Sequence, residues 1–174
     1  KIPDSEMAEA LEINEAEWKA DLDEARVLLR SERENRPPPL RDDKILAGWN
    51  GLLLKGMSQA AWRFDRPDYL EQAEQLGHFL MNELQPNGVL HRSYALGEVQ
   101  GVAMVEDYGA VISGFLDLFE TTGNPIWLEG ALELDAVVIQ EYEDPEGGWY
   151  RTPLNGEATL IREMPTYDGA EPSG

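Results

Sequence analysis

Apolar residues recur along this chain in two rhythms, and the pair of rhythms repeats. Ile45, Leu46, Trp49, Leu52, Leu53 and Met57 crowd one stretch; Val111, Ile112, Phe115, Leu116 and Phe119 crowd another. Such density leaves almost no polar face, and a helix apolar on nearly all sides is expected to be buried on nearly all sides. The pattern predicts inner helices over 43–63 and 106–121. The helices predicted to follow, 67–84 and 125–142, are amphipathic. In the second, Trp127, Ala131, Leu134 and Val138 form one stripe, with Glu129, Glu133, Gln140 and Glu141 elsewhere. It opens on Asn124-Pro125, a side-chain cap followed by a proline at the first helical position. Next come turn signals, Asn87-Gly88 and Gly147-Gly148, each beside an extended segment, "VLHRSY" or "GGWYRTP"; "LNGEATLIR" reads as a return strand. An earlier helix is expected where Asn14 and Glu17 are spaced as a capping box and Trp18, Leu22, Ala25 and Leu29 recur at helical intervals. The prolines of "RPPPL" end it.

The two rhythms belong to one repeated unit. "NGLLLKGMSQAAWRFDRPDYLEQA" aligns without a gap on "YGAVISGFLDLFETTGNPIWLEGA", so that Gly51 matches Gly109, Gly56 matches Gly114 and Pro67 matches Pro125, all 58 apart. Pro86 and Pro145 match at 59, and Gly109 and Gly169 at 60. The expected organisation is one partial domain over 1–174, with units at 43–101 and 102–161 and the start of a third at 162–174. A buried helix paired with a half-buried one closes naturally into an inner and an outer ring, an α/α toroid. An α-solenoid is the rival arrangement, and the extended pairs between units favour the toroid. Trp18, Trp62 and Trp127 are expected in the core.

In a toroid the inner helices start at one end, which carries the unpaired backbone N–H groups and the positive ends of the helix dipoles. Repeat-equivalent polar residues fall there: Trp49-Asn50, Asp107-Tyr108 and Tyr167-Asp168. Carboxylates and aromatic faces gathered on a concave rim are what sugar chemistry uses: aromatics stack on the ring, carboxylates serve as acid, base or nucleophile. Asp43, Asp107 and Asp168 are therefore candidate catalytic groups as a set, while each taken singly is better explained as a helix cap. His91 is a candidate proton shuttle for an epimerisation; His78 falls on the polar side of its helix. Trp49, Asn50, Glu106, Tyr108, Trp149, Tyr167 and Arg92 are the candidate substrate-binding residues. Arg92 and Arg151 lie at comparable points of the two extended segments, where they answer an anionic ligand or the local excess of acids.

Charge and composition narrow the classes. Lys+Arg number 14 and Asp+Glu 34, a net charge of −20, which argues against nucleic acid and anionic membrane as partners. The chain has 174 residues, 42% of them apolar, enough for a sizeable core. It contains no cysteine, so it offers no disulfide, thiolate ligand or thiol nucleophile. No apolar run reaches membrane-spanning length, and the start has neither a signal-peptide core nor an initiator Met. A cytoplasmic segment of a longer protein is expected. A Gly-rich phosphate loop, a zinc-protease motif and metal-ligand spacing are all missing from the sequence, so no cofactor or metal is expected.

"RDDKILAGWNGLLLKG", "VEDYGAVISGFLDLFETTGNPIWLEGALEL", "GGWYRTP" and "YDGAEPSG" together resemble the helical region of the thioredoxin-domain-containing, spermatogenesis-associated protein 20-like (YyaL-like) family. The resemblance runs over residues 36–174 and more loosely over 1–35. It implies an (α/α)6 toroid related to N-acylglucosamine 2-epimerases and six-hairpin glycosidases, preceded in the family by a thioredoxin-like domain. The motif residues it carries over are Asp42, Asp43, Trp49, Asn50 and Gly51; Glu106, Asp107 and Tyr108; and Tyr167, Asp168, Gly169, Pro172 and Ser173. Residues 102–104 depart from the more polar lead-in of relatives. Two functions follow as expectations: a carbohydrate-processing cleft, of epimerase, isomerase or glycoside hydrolase type, or a non-catalytic module serving a fused thioredoxin-like redox domain.

Overall fold

The computed structural model describes residues 2–156 and 161–164. Where one domain was expected, it divides into two compact units, Lys1–Asp42 and Asp43–Gly174. In the first, α1 (Asp4–Ala10) precedes α2 (Glu15–Glu34). One half of the capping box forms: Asn14 Oδ1 accepts the Glu17 N–H at 2.8 Å. Helix α1 has too short a pattern to be read from sequence. Helix α2 has no fully buried residue, so Trp18 is half-buried rather than core.

The second unit runs β1 (Ile45–Leu46), α3 (Ala47–Arg63), α4 (Pro67–Asn82), β2 (His91–Ala95), β3 (Glu98–Val102), α5 (Val105–Thr122) and α6 (Pro125–Glu141). Asn124 caps α6 by accepting the Ile126 N–H at 3.3 Å, with Pro125 at the first position, as the sequence predicts. Strands β1, β2 and β3 form an antiparallel sheet in that order, with Ile45 opposite Tyr94 and His91 opposite Val102. Leu96 and Gly97 join β2 to β3 with φ of 55° and 88°. Two successive positive φ angles make a turn whose twist suits a hairpin.

Helices α3 and α5 run parallel and touch closely. A Cβ on Gly51 would meet the backbone of Ala110 and Val111 at 2.6 Å, and one on Gly114 would meet the Gly51 carbonyl oxygen at 2.8 Å. Helix α4 covers one flank of α3, and α6 covers the matching flank of α5. The core between these layers includes Leu54, Leu80, Val111, Phe115, Leu118, Trp127, Leu134 and Tyr142. Phe115 and Trp127 stack at 6.0 Å. The predicted α6 stripe, Trp127, Ala131, Leu134 and Val138, is buried throughout.

Three expectations need correction. The inner helices are not buried on all sides: Trp49, Leu52 and Leu53 are 68%, 44% and 52% exposed. Among the described residues α3 is covered chiefly by α4 and α5, and periodicity cannot say which neighbours are present. Trp62, expected in the core, is likewise exposed, at the far end of the same helix. The extended pair of the second unit is reduced, among the described residues, to one bridge between Glu143 and Trp149 and a bond from the Arg151 N–H to the Glu163 carbonyl at 2.8 Å. Part of its return segment, 157–160, lies outside the described residues. Among the described residues no helix is long and apolar enough to cross a membrane.

Candidate functional site

The parallel packing of α3 and α5 sets their N-termini side by side, and Asp107 closes both. It occupies the third position of α5, where Oδ2 accepts the Met104 N–H at 2.9 Å. The Gly48 N–H, in the first turn of α3, lies beside its carboxylate and favours the charged form. Gly48 is glycine for space: a Cβ there would sit 2.7 Å from Asp107 Oδ1. One acid thus caps α5 and lies against the first turn of α3, and the dipoles of both helices favour its charge. Arg92, reaching from β2, brings Nη1 to 3.6 Å from Asp107 Oδ2. Asp107 is nonetheless 7% exposed. Burial raises its pKa above the usual aspartate range, against the pull of the Met104 and Gly48 N–H groups and Arg92, with nearby Glu106 adding to the rise. Asp107 therefore holds a proton more readily than an ordinary aspartate.

Glu106 is paired as well. Arg151 places Nε and Nη2 both at 3.0 Å from Glu106 Oε1, and the Arg151 carbonyl accepts the Val105 N–H at 3.1 Å, which ties this segment to the start of α5. Arg92 and Arg151, 59 residues apart, thus answer the two successive acids, one each. Two buried polar atoms here have no hydrogen-bond partner: Arg92 Nη1 and Glu106 Oε2.

Other sequence candidates are placed differently. Trp49 lies on the first turn of α3 and is exposed. Asn50 turns its amide back to the Leu46 carbonyl at 2.8 Å. Tyr108, expected to stack on a ligand, is 1% exposed. Its hydroxyl accepts the Leu90 N–H at 3.2 Å, and its ring lies 5.3 Å from that of Tyr142. Tyr142 in turn donates to the Ala103 carbonyl at 2.7 Å. Burial raises the pKa of both phenols. Tyr108 is thus a floor under the start of α5, because its position faces α6 and the turn before β2. His91 alternates with Arg92 along β2 and so faces the opposite side of the sheet; its Nδ1 lies 3.2 Å from the Gly101 carbonyl oxygen. Trp149 is half-buried against the core. Asp43 is exposed, three residues ahead of Leu46, the N-cap of α3. Tyr167, Asp168, Gly169, Pro172 and Ser173 lie outside the described residues. The structure therefore brings Glu106, Asp107 and Arg92 together, adds Arg151, and separates His91 and Tyr108 from them.

One polar group escaped sequence reading. Along the seam between α3 and α5, Lys55 Nζ donates to Ser113 Oγ at 2.8 Å and lies 3.8 Å from Asp117, and Gln59 donates to Asp117 at 2.7 Å. Lys55 and Ser113, and Gln59 and Asp117, are each 58 apart. The repeat spacing itself was the signal that would have found them. On the other side of α5, a cleft of about 320 Å³ opens between Val89, Val102, Val137 and Tyr142, with Glu141 at its edge. Among the described residues no group of three His, Asp or Glu is placed to hold a metal.

No family model matches the chain. Among solved structures it is similar to a sugar epimerase from a ruminal bacterium, with a TM-score of 0.57 and 19% identity over 66% of this chain and 33% of that one. It is equally similar to cellobiose 2-epimerase from Spirochaeta thermophila DSM 6192, with a TM-score of 0.57 and 19% identity over 64% of this chain and 31% of that one. At such identity the likeness defines the fold alone: an incomplete (α/α)6 toroid. Among curated proteins the chain is 32% identical to the Caenorhabditis elegans uncharacterized protein B0495.5 over 180 residues, 99% of this chain and 25% of that protein. It is 31% identical to mouse spermatogenesis-associated protein 20 over 186 residues, 94% of this chain and 23% of that protein. The chain is a homologue of spermatogenesis-associated protein 20, the family its motifs resemble. It spans about a quarter of the length of these relatives.

Proposed function

We propose that this chain carries part of a carbohydrate-processing cleft, with a sugar seated at the mouth formed by the N-terminal ends of α3 and α5. The observation that carries this reading is Asp107, a buried carboxylate of raised pKa held between two helix N-termini beside Arg92. The toroid of sugar epimerases supports it by analogy of fold. Trp49 supplies the exposed face on which a sugar ring stacks, with Asn50 one residue on along the first turn of α3. Glu106 and Arg92 offer an acceptor and a donor to its hydroxyls. Asp107 is the acid, and Asp43 or Asp168 the partnering base. Hydrolysis requires the two carboxylates about 5–9.5 Å apart. Epimerisation instead removes a carbon-bound proton and returns one to the opposite face, with Asp107 and its partnering aspartate as acid and base; His91, on the other face of the sheet, takes no part in it. The protein works in the cytoplasm in this reading, without a nucleic-acid, membrane or cofactor requirement.

A second reading has its own support. Both acids at the mouth already meet arginines, and Tyr108 is closed off, as in a toroid that only recruits substrates for a fused thioredoxin-like domain. Thermal-shift measurements on the intact protein with neutral, amino and acidic sugars separate the two. A ligand at about ten times its Kd stabilises by about 1.4 kcal/mol, enough to move Tm by a degree or more. A shift abolished by Asp107→Asn supports the cleft; no shift with any sugar favours the recruiting module.

A further inference from the structure

Arg92 and Arg151 are repeat images 59 positions apart, yet their guanidinium groups are used differently. Arg151 is held by two acids: Nε and Nη2 each lie 3.0 Å from Glu106 Oε1, and Nη1 lies 3.8 Å from Glu163 Oε2. Arg92 meets Asp107 Oδ2 only at 3.6 Å, beyond hydrogen-bond length. Its Nη1 is buried there without a hydrogen-bond partner. Among the described residues none of its N–H groups is bonded. Distance from a carboxylate is not the habit of arginine in this chain, since Arg66 closes on Asp68 with two bonds of 2.7 and 2.6 Å. Asp107 is already turned to the Met104 and Gly48 N–H groups, which keeps Arg92 from closing on it. The Arg92 side chain is 40% exposed, and buried Nη1 supplies none of that, so the rest of the side chain is the open part. The strand beside it leaves it open as well. With His91 opposite Val102 and Ser93 opposite Gln100, Arg92 faces Gly101, which has no side chain to lay over it.

We propose that Arg92 is the specificity-determining residue of the mouth, and that it takes the carboxylate of an acidic sugar, a hexuronate, in a two-pronged hydrogen bond. This rests on the mouth being a sugar cleft, and it names the class of sugar. An arginine fork matches two oxygens of one planar anion, a geometry that a single hydroxyl cannot use in full. Trp49, next to Gly48 on the turn that meets Asp107, stays exposed for the ring. Arg151 and Glu106 complete the contrast: a pair closed on itself has little left for a ligand, whereas Arg92 keeps its donors. Carboxylate is favoured over phosphate by charge. The chain carries a net charge of −20 and Glu106 stands beside Asp107, so an added monoanion is tolerated better than a phosphate of about −1.5 to −2.

Calorimetric titration of the intact protein tests this with glucuronate and galacturonate, their neutral counterparts glucose and galactose, and glucose 6-phosphate. The expected result is that one of the two uronates binds at least about tenfold more tightly than its neutral counterpart and than the phosphate. Arg92→Gln and Arg92→Lys should each remove most of that preference while the Kd for the neutral sugar stays within about twofold. Lysine keeps the charge and loses the fork, so its failure to substitute separates two-pronged recognition from charge alone. The unchanged neutral-sugar Kd shows that each variant is still folded at the mouth. Neutral sugars binding as well as the uronates, the phosphate binding best, or a uronate preference that survives Arg92→Gln overturns the proposal and leaves the sugar cleft standing. If no sugar of any class binds, the cleft falls and the proposal falls with it.

Discussion

The two ends of α3 make an instructive pair. Each exposes a tryptophan, Trp49 at 68% and Trp62 at 64%. Around Trp49 the chain gathers a buried aspartate, a glutamate and two arginines, each acid set against one arginine and the aspartate also bonded to a backbone donor. Around Trp62 it offers the Arg63 guanidinium 5.3 Å from the indole ring and exposed Phe64. The difference follows from helix polarity. N-termini need acceptors, so parallel helices concentrate acids at one end, and those acids recruit cations from β2 and from the segment after α6. An exposed aromatic marks a site only where such polar company comes with it.

The mouth exists only while α3 and α5 stay in contact, so the largest effect comes from forcing them apart. Gly51→Leu puts a side chain into the backbone of Ala110 and Val111, which no rotamer avoids. It should cost more than about 3 kcal/mol, read as lost or sharply shifted cooperative unfolding in urea. Asp107→Ala strikes the polar end alone. It uncaps the start of α5 and leaves Arg92 without its acid, an expected loss of about 2–3 kcal/mol by chemical denaturation. Tyr142→Phe removes the donor to the Ala103 carbonyl beneath the same end and should cost about 1–2 kcal/mol.

A pH titration sharpens the comparison further. The folded pKa of Asp107 lies above its unfolded value. Its contribution to stability is therefore fully present below the ordinary aspartate range and is lost as pH rises through the raised folded value. Asp107→Asn should flatten that part of the stability–pH curve, whereas a change at the Trp62 end leaves it in place. Smallest of all, Trp49→Ala and Trp62→Ala should each change stability by less than about 0.5 kcal/mol, a symmetry that makes them a matched pair for binding work.

The sequence showed most of this framework because the framework is local or repeated. The Asn124-Pro125 start, the α6 stripe and the glycine pairs could be read from spacing, and the 58-residue offset reappears as the Lys55–Ser113 and Gln59–Asp117 bonds. Sidedness could not be read. An all-apolar pattern says that α3 can be covered everywhere but not which neighbours cover it, so Leu52 and Leu53 were expected inside. The Tyr108–Tyr142 contact joins residues 34 apart across two different helices, and nothing in either local pattern announces it. Glu106 and Asp107 were visible as acids at a helix start; their arginine partners were recognisable only as residues at matching points of two segments.

The most direct test of a sugar site at the mouth is calorimetric titration of the intact protein with neutral, amino and acidic sugars, comparing Trp49→Ala with Trp62→Ala. A site at the mouth predicts that Trp49→Ala weakens binding about tenfold or more, about 1.4 kcal/mol, while Trp62→Ala leaves Kd unchanged. Equal losses from the two variants, or a loss from Trp62→Ala alone, would contradict it.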